Sequence, residues 1–238
     1  MEQRPRKRYC LEVKGDFACF TRPEMKAERV SYDVITPSAA RAIYEAILWK
    51  PAIQWIIRRI DVLNPIQWHS VRRNEIDKVM GNKTGIFIED SRIQRAGLIL
   101  RDVAYLLHAD MIFTPPDERK PHKRLHHTMH NLDDSESVNA NPQDEKPSKY
   151  QAMFERRVNK GQCFNQPYLG CREFSATSFK LLEQGEYPTP IQENVDFGFM
   201  LFDMIYKDDN DTTPAFFRAK MENGKIIVPD WDSQEVYQ

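Results

Sequence analysis

An α+β fold is what this sequence predicts, because two segments of helical period stand among several runs of strand period. The clearest strand is Val103, Tyr105, Leu107, Ala109, Met111 and Phe113, apolar at every second position without a break. The clearest helix starts at Thr36-Pro37-Ser38, a capping residue followed by proline at the first helical position. It carries Ala40, Ile43, Tyr44, Ile47 and Leu48 at helical spacing until Pro51 stops it. A strong hairpin signal, Asn223-Gly224, sits among strand-like residues near the C-terminus.

The other elements fall into place around these. Residues 9–20 are rich in β-branched and aromatic side chains and read as a first strand that ends before Arg22-Pro23. Residues 53–63 and 66–73 are strand-like and meet at the turn pair Asn64-Pro65. Residues 95–101 are expected to be the antiparallel partner of the strand at 103–113. Residues 114–147 carry five prolines and no periodicity, and are expected to form a mobile flap. Ser148-Lys149-Tyr150-Gln151 fits a capping box, opening a second helix with Tyr150, Met153, Phe154 and Val158 on one face and Gly161 at its end. Residues 172–182 are expected to return as the last strand of a β-α-β-β-α-β unit, the ferredoxin-like layout that RNA-recognition domains also use. The expected division is a ferredoxin-like domain at 1–185 and a small β appendage at 186–238.

Composition narrows the function classes. The 238 residues are 41% hydrophobic, enough for a full core, and the formal net charge is −1. That near balance hides an asymmetry. Residues 1–185 hold 30 Lys and Arg against 24 Asp and Glu, an excess of six cations, while 186–238 hold 4 against 11, an excess of seven anions. A basic body leaves binding to a polyanion open, since phosphate contact needs a local basic surface. No run approaches the roughly 18 apolar residues of a membrane span, so a cytoplasmic protein with no membrane partner is expected. Cys10, Cys19, Cys163 and Cys171 lack the short spacing of zinc or redox motifs and read as free structural thiols.

Several residues are candidates for chemistry. Lys149 and Tyr150 open the second helix, where backbone N–H groups and the positive helix end favour an anion such as a phosphate. The plainer alternative is a solvated lysine and a core tyrosine. Arg156, Arg157 and Lys160 place three cations on a short helical stretch, and Gly170-Cys171-Arg172 is a glycine-centred turn able to approach phosphate. An exposed helix face and an ordinary turn are the alternatives there. Tyr44 and the corner Trp49-Lys50-Pro51 offer a phenol, a stacking surface and a cation, with core packing as the alternative for Trp49. His122, His126, His127 and His130 lie in the flap. With no helix to align them and no second ligand cluster, they suit RNA contact or solvent exposure better than a metal, so neither metal nor cofactor is expected.

Four segments carry a resemblance to a known family: GDFACFTRPEMKAERVSYDVITPSAARAIYEAILWKPAI (15–53), QRAGLILRDVAYLLHA (94–109), SKYQAMFERRVNKGQCFNQPYLGCREF (148–174) and MENGKIIVP (221–229). Together they resemble the CRISPR-associated endoribonuclease of subtype I-C, the d variant of the fifth Cas family (dvulg subtype) within the RAMP superfamily. The resemblance implies a ferredoxin-like RAMP domain that recognises a repeat hairpin in precursor crRNA and cuts at its base without metal. It also implies retention of the mature crRNA 5′ handle. Partners implied are the backbone and large subunits of the type I-C surveillance complex, with double-stranded DNA as a further one. Attack of a ribose 2′-hydroxyl on its own phosphodiester is the implied chemistry, leaving a 2′,3′-cyclic phosphate.

By the same resemblance, the catalytic group is a tyrosine late in the first helix and a lysine-histidine pair opening the second. Lys149 matches the lysine. Tyr150 stands at the histidine position and Leu48 at the tyrosine position, with Tyr44 one turn earlier on the same face. Tyr150 as base or proton carrier, Tyr44 as the replacement phenol and a flap histidine as acid form the working assignment. It requires a nearby cation, Lys149, to lower the tyrosine pKa. The alternative is a non-catalytic subunit that binds the crRNA handle or DNA.

Overall fold

The computed structural model describes residues 4–25, 27–77, 88–119, 145–208 and 211–237. The chain is an α+β protein with nine strands and two longer helices among these residues: β1 (Arg6–Ala18), α1 (Pro37–Ile47), β2 (Ile53–Val62), β3 (Gln67–Ile76), β4 (Arg92–Phe113), α2 (Pro147–Asn159), β5 (Ser178–Leu182), β6 (Val195–Asp208), β7 (Asp211–Glu222), β8 (Lys225–Ile227) and β9 (Val236–Tyr237). The sheet runs β5-β1-β4-β2-β8-β7-β6, with β3 on β4 and β9 on β7, and every one of these pairings is antiparallel. No helix among the described residues is long and apolar enough to cross a membrane.

Strand period decides which side of the sheet is buried. Tyr9, Leu11 and Val13 of β1 and Tyr105, Leu107, Ala109, Met111 and Phe113 of β4 point to one face, where they pack with Ile43, Tyr44 and Ile47 of α1 and Tyr150, Phe154 and Val158 of α2. An aromatic centre holds the layers together: Trp55 lies 4.6 Å from Tyr44 and 4.7 Å from Phe154, ring centre to ring centre. Each such fully buried ring contributes about 2–3 kcal/mol of apolar burial. The opposite face carries a smaller apolar group of Cys10, Leu106 and Leu182 beside buried Asp61, His108 and Asp110.

Three sequence expectations change here. Residues 95–101 are not a partner of 103–113; both belong to β4, one strand of 22 residues. Asp102 has φ of 51°, a bend at which β4 leaves β3 and takes up β2, while β1 stays paired with it on both sides of the bend. The capping box at Ser148 does not form, because α2 starts one residue sooner with Pro147 at its first position and Lys146 as a cap without a side-chain bond. Residues 172–177 are outside the last strand, which begins at Ser178. Thr36, by contrast, caps α1 by accepting from the Ala39 N–H at 3.3 Å. Asn223 and Gly224, both at positive φ, turn β7 into β8.

Candidate functional site

The mouth of α2 is built from both sides of a long connection. Thr114 and Arg119 follow β4, and Glu145 and Lys146 precede α2; residues 120–144 between them, with His126 and His127, lie outside the described residues. The Arg119 guanidinium is ion-paired to the Glu145 carboxylate and donates to the Thr114 carbonyl at 3.1 Å. Lys149 is exposed in the first turn. No acidic residue stands in that turn, so Lys146 and Lys149 add positive charge to the already positive end of the helix. An anion is the natural complement of such a site.

Tyr150 is buried beside Lys149, its ring 5.9 Å from Phe113. Burial pushes its phenol pKa up and the Glu145 carboxylate adds to this, against a smaller opposing effect of Arg119. This corrects the expectation that a cation lowers the phenol: desolvation wins, and Tyr150 keeps its proton at neutral pH. Glu145 is held below the usual carboxylate range, first by the hydrogen bond from Arg119. Arg119 and Glu145 were not legible as site residues, since nothing in the sequence marks two charges 26 positions apart as neighbours.

The other candidates are not gathered at this mouth. Tyr44 is fully buried and donates its hydroxyl hydrogen to the Leu107 carbonyl at 2.5 Å. Its phenol is raised well above the ordinary value by burial, so it is a core group without access to a substrate. Leu48 is buried as the C-cap of α1, Trp49 is half-buried and Lys50 buried, the last two in contact with other groups of the chain. Arg157 donates to the Ile47 carbonyl at 2.9 Å and so closes the end of α1, while Arg156 and Lys160 are exposed on α2. Gly170 is needed for packing: a Cβ there would sit 2.0 Å from the Cys19 carbonyl oxygen, at a φ of +86°. Gly170 and exposed Arg172 therefore lie by the far end of β1. The 13 residues of β1 separate them from the mouth of α2, roughly 40 Å at strand rise.

A second concentration of charge lies on the helix-free face. Asp110 is buried and ion-paired to Arg8 at 2.7 Å and Arg58 at 2.9 Å, and His108 lies 3.1 Å from Asp61 and 2.8 Å from Arg59. These groups border a cleft of 690 Å³ that Lys7, Glu155 and Tyr187 also line. Its cations are matched by carboxylates, which makes it a structural network in balance.

Comparison with known proteins agrees with this architecture. A solved structure titled "Crystal Structure of CRISPR-associated Protein" covers 99% of this chain and 100% of its own, with a TM-score of 0.67 at 23% identity. A functionally uncharacterized protein, SMU1763c from Streptococcus mutans, gives a TM-score of 0.65 at 24% identity with the same coverage. These likenesses show the fold. The family model described as CRISPR-associated protein (Cas_Cas5), in its Cas5d form, matches residues 9–229. A Mannheimia succiniciproducens protein named CRISPR pre-crRNA endoribonuclease Cas5d is 44% identical, over 95% of this chain and 96% of its own length. Its Thermus thermophilus namesake is 40% identical, over 96% of this chain and 94% of its own. The chain belongs to the Cas5d family of CRISPR-associated proteins.

Proposed function

We propose that this chain is an endoribonuclease that cuts precursor crRNA at the base of the repeat hairpin and stays on the 5′ handle. Near full-length likeness to two proteins named CRISPR pre-crRNA endoribonuclease carries the reading. The strand order β5-β1-β4-β2 with helices after β1 and β4 supports a ferredoxin-like RAMP domain, with β3 and the first half of β4 as an inserted hairpin. Residues 1–185 form that domain and 186–238 the appendage, joined to it through the β2 and β8 pairing.

In the proposed reaction the scissile phosphate sits at the mouth of α2. The ribose 2′-hydroxyl gives its proton to solvent as its oxygen attacks the adjacent phosphorus, the bond to the 5′-oxygen breaks, that oxygen takes the Tyr150 proton, and a 2′,3′-cyclic phosphate and a 5′-hydroxyl result; solvent then returns a proton to Tyr150. No metal takes part. Lys149 stabilises charge on the five-coordinate phosphorus, an interaction strongest in the transition state. Tyr150 holds its proton and is the donor side of the pair, oriented by Arg119 and Glu145. Arg156, Lys160 and Arg172 contact the RNA backbone, with His126 and His127 as further contacts. The cytoplasmic complex it joins contains the type I-C backbone and large subunits and engages double-stranded DNA.

Purified protein incubated with its repeat RNA in EDTA tests this. One discrete cut supports the enzyme, whereas retarded but intact RNA supports a subunit that only binds.

A further inference from the structure

The far end of β1 carries an aromatic group that the cleavage mouth does not use. Phe17 lies 5.5 Å from His69 of β3 and 6.3 Å from Phe174, ring centre to ring centre. Three separate parts of the chain thus present rings at one place. Phe17 is 39% exposed, although its strand neighbours on the same face, Leu11 and Val13, are fully buried beneath the helices. The covering layer ends just before it, where Leu169 closes over Gly15.

Cations flank these rings. Arg101 opposes Phe17 in the β1 and β4 ladder and donates to Gln67 at 2.9 Å. Arg172 is exposed two residues before Phe174. Neither is in an ion pair among the described residues, whereas the nearby Glu173 is already paired with Arg29. An exposed ring beside two half-buried ones, with arginines outside any ion pair among the described residues, offers what a single-stranded nucleic acid requires: a surface on which bases stack, and charge for the phosphates between them.

We propose that Phe17, His69 and Phe174 form a stacking platform for unpaired bases of the RNA that this protein processes, with Arg101 and Arg172 holding the adjoining phosphates. The proposal rests on the RNA-cutting reading for the identity of the strand, but its residues stand roughly 40 Å from Lys149 along β1. The platform thus reads bases at a distance from the cut, and it accepts any base because every base has a π face.

Repeat RNA carrying 2-aminopurine at each unpaired position in turn, titrated with the full chain, tests it. At one or more positions the fluorescence should be quenched on binding. Phe17→Ala should abolish that quenching and raise Kd about tenfold, one stacking contact, while the dependence of Kd on salt stays as in the parent. Phe17→Trp should restore both, and Arg172→Ala should lower the salt dependence. Unfolding midpoints check that each variant is folded. Unchanged quenching and a Kd within twofold for Phe17→Ala overturn the platform. If the parent protein binds with quenching yet never cuts, the enzyme reading fails and the platform stands.

Discussion

Replacing Tyr44 by Phe separates a core role from a catalytic one. The substitution removes one hydroxyl, which donates to the Leu107 carbonyl at 2.5 Å inside the core, and leaves the ring against Trp55 and Phe154. Loss of one buried hydrogen bond with packing retained costs about 1 kcal/mol. In a chain of this size that lowers the unfolding midpoint by about 2–4 °C. Tyr44→Ala also deletes the ring and should cost about 3–5 kcal/mol. Circular dichroism on heating measures both, and single-turnover cleavage of repeat RNA below the midpoint measures function. Tyr44→Phe should cut within about twofold of the parent, since a phenol buried this deeply has no path to a phosphate. A fall of about a hundredfold with the midpoint unchanged would refute the placement of Tyr44 outside the reaction.

Two further outcomes follow from the charged and thiol groups. Burial pulls the Asp110 carboxyl up, but the hydrogen bonds and charges of Arg8 and Arg58 outweigh it and hold it below the usual range. Its contribution is therefore complete above about pH 4 and disappears as the pH falls through the lower folded value. Asp110→Asn should cost on the order of 3 kcal/mol at neutral pH and flatten the acid limb of the stability curve; an unchanged limb would contradict this. The Cys171 thiol is lowered to about 6, mainly by the neighbouring Cys19 thiol, whose own pKa is pushed up by Cys171 and by burial. Iodoacetamide should label half-exposed Cys171 first, with a rate midpoint near that value, and a midpoint in the ordinary thiol range would count against the pairing.

Much of the fold could be read from the sequence wherever period and end signals agree. β1, α1 and β2 have both, and the structure places them close to where alternation, Thr36-Pro37 and Pro51 point. The error at β4 arose because Arg101 and Asp102 interrupt the alternation, which looks like a chain reversal although it is a bend at one residue of positive φ. At α2, Pro147 overrode the Ser148 signal because proline fixes the first helical turn wherever it stands. The site was legible only in part. Lys149 and Tyr150 are adjacent in sequence and so are adjacent in space, whereas Arg119 and Glu145 meet across a connection whose closure no local pattern encodes. Tyr44 shares a helical face with Leu48, but that face points into the core, and periodicity alone cannot tell a catalytic phenol from a packed one.

Single-turnover cleavage of the cognate repeat RNA by Lys149→Ala, in EDTA and at protein concentrations that saturate binding, addresses the central assignment most directly. The parent should release one 5′ fragment ending in a 2′,3′-cyclic phosphate, and the variant should bind the RNA with little change in Kd while leaving it whole. Cutting by the variant at the parental rate would place the reaction somewhere other than the mouth of α2.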